Sequence, residues 1–357
     1  MKRPHFIAFD THCDSTEVAA VSASGKLKFR QHSPTTIPDL VAALNHVPRP
    51  RILTFEEGPL ADWLWRNLLP HADQIIVCEP RRNHLIANDS DKDDPIDAEK
   101  LAHLLRGGYL KPVHHPHSLD RMIFKQHVLL YQDRVRLRVA EANRIAALFR
   151  RFGVFVREKD FSNPDSRPAL LGRLPNSSVV RANVGLLWQS YDVLAEGVLQ
   201  MRKRLRELAR KEEVIRRFTQ VPGVKWVRAA QFFVIVDTPD RFPSKSALWR
   251  YLGLGLERRR SGNGPMRVKL VRRTNRQIKS VLLGAARSAI RSEEGPFAEQ
   301  YRRWRKAGCS PTIALRNTAR SLAATLWGMW KSGSVYQPQR VGAGNQPAKP
   351  KVAEARR

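Results

Sequence analysis

His5-Phe6-Ile7-Ala8-Phe9-Asp10 is an apolar run of four residues closed by a carboxylate. A short run of this kind fits a buried strand with Asp10 at its carboxyl end. Thr16-Glu17-Val18-Ala19-Ala20-Val21-Ser22 reads as a second strand, and Ser24-Gly25 turns the chain into a third, Lys26 to Arg30. A helix follows Thr36, with Pro38 in its first turn and Leu40, Val41 and Leu44 on one face. Arg51-Ile52-Leu53-Thr54-Phe55 is the next strand and runs into Glu56-Glu57-Gly58. Pro59 to Leu69 has the apolar stripe Leu60, Trp63, Leu64 and Leu68 of a helix, and Gln74 to Cys78 is a fifth strand. A helix from Asp94 to the Gly107-Gly108 pair closes the unit.

Three antiparallel strands followed by alternating helix and strand predict an α/β sheet of the RNase H-like kind. Acids stand at two of its strand ends, Asp10 after the first strand and Glu56 after the fourth. A third group of acids is denser: Asp89, Asp91, Asp93, Asp94, Asp97 and Glu99 crowd into eleven positions. Asp94 precedes Pro95, which makes it a helix N-cap. Asp97, three residues on, then points the same way. Ordinary capping accounts for that pair taken alone. With Asp10 and Glu56 it forms a four-carboxylate set, which can hold two divalent cations about 4 Å apart for in-line phosphoryl transfer.

Composition gives such a set a partner. Over 357 residues the chain carries 63 Lys and Arg against 33 Asp and Glu, a formal charge of +30. A surplus of this size is the footprint of a polyanion, with nucleic acid favoured. No apolar run is long enough to span a bilayer, and the N-terminal apolar core is too short for a signal peptide. Cys13, Cys78 and Cys309 are widely spaced, which argues against zinc or disulfide frameworks and fits a reducing cytoplasm.

The second half is built from helices. Ser118 caps a long helix that runs to Phe152 and stops at Gly153. Val128, Val135, Ala142 and Phe149 repeat in it every seven residues. A second long helix is predicted from Ser178 to Phe218. Val184, Leu187, Tyr191, Leu194, Val198, Met201, Leu205 and Leu208 alternate in steps of three and four, a coiled-coil seam. Its partner is the first helix or another subunit. Val221-Pro222-Gly223-Val224 fits a helix-hairpin-helix turn or a plain interhelical turn. Phe242-Pro243-Ser244 caps the next helix. Leu256-Glu257-Arg258-Arg259-Arg260-Ser261-Gly262-Asn263-Gly264-Pro265 is a basic, glycine-containing loop. Val268 to Arg273 and Asn275-Arg276-Gln277-Ile278-Lys279 lead into an alanine-rich helix, and a basic helix pair spans Pro296 to Lys331. The remainder reads as a disordered basic tail.

The ordered series Phe6-Ile7-Ala8-Phe9-Asp10, Phe55-Glu56-Glu57-Gly58-Pro59 and Lys92-Asp93-Asp94-Pro95-Ile96-Asp97-Ala98-Glu99-Lys100-Leu101-Ala102 resembles the DEDD-type insertion-sequence transposases, the bridge-RNA-guided recombinases. The last segment is similar to their K-x-D-x-x-D-A-x-x-L-A signature. Val221-Pro222-Gly223-Val224, Asp240-Arg241-Phe242, Tyr251-Leu252-Gly253-Leu254, Arg260-Ser261-Gly262 and Arg273-Thr274-Asn275-Arg276-Gln277-Ile278-Lys279 extend the resemblance through the second half.

The resemblance implies a RuvC-like N-terminal domain (1–115), a coiled-coil helical region (116–217), a mainly helical C-terminal transposase domain (218–335) and the tail (336–357). It implies Mg²⁺ or Mn²⁺ on Asp10, Glu56, Asp94 and Asp97, and Ser261 as a nucleophile toward DNA. In the family pattern two residues separate the Glu from the Gly. Here the segment is one residue shorter, which leaves Glu57 as an alternative ligand to Glu56.

Arg258, Arg259, Arg260, Arg272, Arg273, Asn275, Arg276 and Lys279 are the expected nucleic-acid contacts. Donor and target DNA, a non-coding bridge RNA and further copies of the chain, as homodimer or homotetramer, are the implied partners. The implied setting is a prokaryotic cytoplasm, on the nucleoid when bound to DNA. A junction-resolving endonuclease without the serine and a non-catalytic binding scaffold are the competing readings.

Overall fold

The computed structural model describes residues 3–80, 94–116, 118–260, 266–271, 274–292 and 294–341, with the backbone alone at Asp94, Pro95, Arg258, Arg259 and Arg267. It divides into two compact units, Met1–His117 and Ser118–Arg357.

The first unit is a mixed five-stranded sheet with helices on both faces. Its elements are β1 (His5–Thr11), β2 (Ser15–Val21), β3 (Leu27–Pro34), α1 (Ile37–Asn45), β4 (Arg51–Glu56), α2 (Ala61–Leu68), β5 (Gln74–Cys78) and α3 (Asp94–Arg106). The strand order is β3-β2-β1-β4-β5. The first three strands form an antiparallel meander, and β4 and β5 add in parallel to β1. This arrangement is compatible with an RNase H-like α/β domain.

Because β1 and β4 lie inside the sheet and are covered on both faces, their sequences are continuous apolar runs rather than alternating ones. Ile7, Phe9, Leu53 and Phe55 pack under α1 and α2, together with Leu40, Leu44, Leu64 and Leu68. Ala8 of β1, Val21 and Cys78 face the other way, onto Leu101, Ala102 and Leu105 of α3. Phe9 and Phe55 are fully buried, each contributing about 1.5–3 kcal/mol. Helix α1 starts as its sequence implies, with the Thr36 hydroxyl accepting the Asp39 N–H.

The second unit opens with α4 (Leu119–Arg151), continues through the short helices α5 (Glu158–Phe161) and α6 (Arg167–Leu171), and returns along α7 (Ser178–Lys211). Helices α4 and α7 pair antiparallel. His127 near the start of α4 bonds to the Met201 carbonyl (3.0 Å), and Phe149 near its end stacks 6.2 Å from Trp188. Val184, Tyr191, Val198 and Leu205, every second member of the predicted seam, are buried. The partner of that seam within this chain is therefore α4. At the far end the hydroxyl of Tyr191 donates to Glu158 (2.9 Å), and Arg167 forks onto Asp192.

Helix α7 does not run unbroken to Phe218. Glu212 is extended (φ −94°, ψ 110°), and a separate helix α8 (Glu213–Phe218) follows. The break turns Ile215 and Phe218, both fully buried, into the core of this unit. That core surrounds α9 (Trp226–Val236), in which every residue from Ala229 to Val236 is buried. Helix α10 (Lys245–Tyr251) is capped by Ser244. The basic stretch from Leu256 to Pro265, expected as a loop, opens with a strand, β6 (Leu256–Arg259), which pairs antiparallel with β7 (Arg267–Leu270) just beyond it, Leu256 opposite Leu270.

Helices α11 (Arg276–Ile290), α12 (Pro296–Lys306) and α13 (Pro311–Ser332) complete the unit. The fold extends past the expected start of the tail. Tyr336 packs on the core, its N–H donates to Gln220 (3.0 Å), and Val341 is buried there.

Gly223, between α8 and α9, has φ +79°. A Cβ there would lie 2.2 Å from the Ala285 carbonyl of α11. The turn is glycine because helix backbone packs against it. Among the described residues, no helix is long and apolar enough to cross a membrane.

Candidate functional site

Strand register fixes two of the predicted acids. Strands β1 and β4 run parallel with Phe9 opposite Phe55, so Asp10 and Glu56 come next on neighbouring strands. Phe6, Ala8 and Ile52 belong to the face covered by α3. A side-chain period of two puts Asp10 and Glu56 on that same side. Asp97 lies in the opening turn of α3, four residues before Leu101, which packs on the sheet. Residues four apart share a helix face, so Asp97 is carried toward the same side. The helix begins at Asp94 itself, whose side chain lies outside the described part of the structure.

The fold thus brings Asp10, Glu56 and Asp97 to one side of one sheet. Among the described residues, no group of three or more His, Cys, Asp or Glu side chains is gathered closely enough to hold a metal ion. The donor chemistry does fit a hard cation. All members are carboxylates, which suit Mg²⁺ or Mn²⁺, and the Asp10 side chain is 27% exposed. His12 stands 3.8 Å from Asp10. Glu99, another member of the acidic cluster, is engaged with Arg30 of β3 and lies 3.7 Å from His103.

Glu57 has a different environment from Glu56. His115 is 4% exposed and stacks on Trp65, with ring centroids 5.6 Å apart. Its Nε2 lies 2.7 Å from a Glu57 carboxylate oxygen and its Nδ1 lies 2.7 Å from Asp62. With a carboxylate on each side, both ring nitrogens donate, and the ring is an imidazolium. Burial pulls its pKa down. The hydrogen bonds to Asp62 and then Glu57 outweigh that, and the pKa is pushed up to about 9. The Glu57 N–H also donates to the Cys78 carbonyl (2.8 Å). Glu57 is thereby tied into the structure beside the strand end where Glu56 stands.

Sequence reasoning did not single out His115. Its partners lie 58 and 53 positions earlier, and no local pattern marks such a contact.

In the second unit, Ser261, Arg272 and Arg273 lie outside the described residues. Arg258 and Arg259 form the end of β6, and Arg260 follows it, exposed. Asn275 serves as the N-cap of α11. Its amide oxygen accepts from the N–H groups of Gln277 (3.1 Å) and Ile278 (3.2 Å). Arg276, exposed, and Lys279, half-buried, stand on the first turns of that helix.

Two family models match the chain. One, a transposase model of the DEDD type from the IS110 group, covers residues 7–153, the stretch that holds Asp10, Glu56, Asp94 and Asp97. The other, described as the transposase IS116/IS110/IS902 family, covers residues 215–302, which include the β6–β7 pair and Ser261. No curated protein matches the chain at a meaningful level. The two matches do not overlap and follow in chain order. The chain belongs to the IS110 family of DEDD transposases.

Proposed function

We propose that this transposase moves an insertion sequence by cutting and rejoining DNA strands through a covalent serine intermediate, guided by a non-coding bridge RNA. The observation that carries the metal-site part is the pairing of Phe9 with Phe55. It sets Asp10 and Glu56 side by side on the face that α3 covers, where Asp97 completes the described acids. With Asp94 they are the residues that would hold Mg²⁺ or Mn²⁺. Bound there, the ion supplies Lewis-acid stabilisation of phosphate oxygens and activation of a hydroxyl. The engagement of Glu57 with His115 supports Glu56 as the ligand of the two. A RuvC-like character for the first unit follows the same reading.

Ser261 is the proposed nucleophile. Its Oγ forms a bond to phosphorus as the bond from phosphorus to a deoxyribose oxygen breaks. The serine proton goes to a base, and the leaving oxygen takes up a proton. Rejoining reverses these steps with a second strand's hydroxyl, so the phosphodiester energy is kept in the phosphoserine link. Gly262 and Gly264 let backbone approach a bulky substrate. Arg258, Arg259 and Arg260 are placed in the sequence to stabilise charge on the pentavalent phosphorus. Arg272, Arg273, Arg276 and Lys279 are proposed phosphate contacts, supported by the net charge of +30. Assembly as a homodimer or homotetramer is part of the proposal.

Quenching the reaction in denaturant tests it. The wild type should leave a protein–DNA adduct, and Ser261→Ala should lose both adduct and recombination while still binding DNA. An adduct or recombination that survives in Ser261→Ala would favour a junction-resolving nuclease instead. Ribonuclease treatment that leaves recombination intact would remove the bridge RNA from the reading.

A further inference from the structure

A cleft of about 990 Å³ opens in the second unit between α4, α7, α9 and α11. Its size lies at the upper end of ligand-sized sites, roughly 300–1,000 Å³. Arg136, Arg202, Lys225, Arg228 and Arg276 line it, and no Asp or Glu is among the described lining residues. Arg136 is paired with Asp133 outside the cleft (2.6 Å).

Arg228 is the most telling of the five. Its guanidinium donates to the Gly223 carbonyl (2.7 Å) and the Ser288 hydroxyl (2.9 Å), both uncharged. Burial lowers its pKa, yet a guanidinium stays protonated. A half-buried cation fixed by neutral groups is costly unless an anion joins it.

Between the cations the walls change character. Tyr131, Val135, Val227 and Val281 supply an apolar surface. Gln132, Gln231 and Gln277 add amides that can both donate and accept. Both polar atoms of the Gln132 side chain are buried without a hydrogen-bond partner, and Gln231 is 6% exposed. Cations, an apolar wall and amides together match phosphate, a flat ring and a hydrogen-bonding ring edge. A base-paired duplex offers its phosphates and the groove edges of its bases to such a wall, but its ring faces are stacked on one another and its pairing edges are used. An unpaired nucleotide presents all three.

We infer that this cleft holds an unpaired nucleotide of the nucleic-acid substrate, its phosphate on Lys225, Arg228 and Arg276 and its base between the apolar wall and the glutamine amides. The inference rests on the reading that this chain acts on nucleic acid, and it draws on residues other than the DEDD acids and Ser261.

The test uses the full-length protein and measures anisotropy of a labelled 12-nucleotide single strand and of a blunt duplex. The key variant is Gln132→Leu. It removes an amide that has no partner in the protein, so folding should be unharmed or improved. Single-strand affinity should fall roughly fivefold to tenfold, about one lost hydrogen bond, with duplex affinity unchanged. Lys225→Gln should lower the slope of log affinity against log salt for the single strand by about 0.7. The inference is overturned if Gln132→Leu leaves single-strand affinity unchanged, or weakens both ligands equally. It is also overturned if a free mononucleotide displaces the strand at micromolar concentration. A wild-type protein that binds neither ligand would defeat the nucleic-acid reading itself, whereas tight duplex binding with no single-strand site would defeat only this inference.

Discussion

The two halves of the DEDD-and-serine reading sit in different kinds of structure. In the first unit, Asp10 and Glu56 hang on a sheet, where parity and register dictate direction. Once Phe9 pairs with Phe55, Asp10 and Glu56 have their side and their neighbour settled. In the second unit, the serine belongs to a connection between two short strands of four residues each. Four cross-strand pairs set the base of that hairpin and say nothing of the direction of Ser261. A catalytic residue built on a sheet can be located from pattern. One borne on a connection needs its substrate and its neighbours to define it.

The largest test of this contrast compares adjacent glutamates. Asp10→Ala, Asp97→Ala and Glu56→Gln should each lower strand cleavage more than about a hundredfold, as loss of a charge-stabilising group does. Glu57→Gln should cost far less, because Glu57 is held by His115. Equal losses at Glu56 and Glu57, measured as single-turnover cleavage with folding checked by circular dichroism, would break the assignment.

Packing in the helical unit offers the next test. Gly223→Ala forces a Cβ to within 2.2 Å of the Ala285 carbonyl at a φ of +79°. It should destabilise the second unit by about 2–3 kcal/mol or more. The calorimetric transition of the sheet unit should stay in place.

The α4–α7 seam separates folding from assembly. Val198 is 6% exposed and lies in the core shared with Phe124 and Val128 of α4. Leu194→Lys with Val198→Lys should therefore melt the chain itself, by about 3 kcal/mol or more for a buried unpaired charge. The drop in melting temperature should not depend on protein concentration. A loss seen only on dilution would move the seam to a subunit interface.

The smallest effect belongs to His115. Its pKa is raised in the folded state, to about 9. Its contribution to stability is then full below about pH 6.5 and fades as pH rises toward 9. The urea midpoint of the sheet unit should fall over that window, and His115→Gln should flatten the fall. A wild-type midpoint that is level from pH 6.5 to 9 would show that the clasp does not hold the Glu57 segment.

Much of the placement of the candidate acids was legible because its signals are local. Apolar runs ending in Asp10 and Glu56 announce strand ends, and Asp94-Pro95 announces a helix start. Their spacing implies a shared face. His115 was not legible, since its meaning comes from Glu57 and Asp62, more than fifty positions away. The break at Glu212 carried no glycine or proline to mark it. It exists because Ile215 and Phe218 gain a core that only the assembled unit provides.

The sequence by itself determined the strand and helix order of the sheet unit, the positions of its acids and the presence of two long amphipathic helices. These depend on periodicities of two and three to four residues, which are written in neighbouring positions. Tertiary structure alone decided that the α7 seam meets α4, that Glu57 is clasped by His115, and that cations and glutamines from four helices line one cleft. Contacts of that kind join residues far apart in the chain, and their energy exists only once burial has brought both partners out of water.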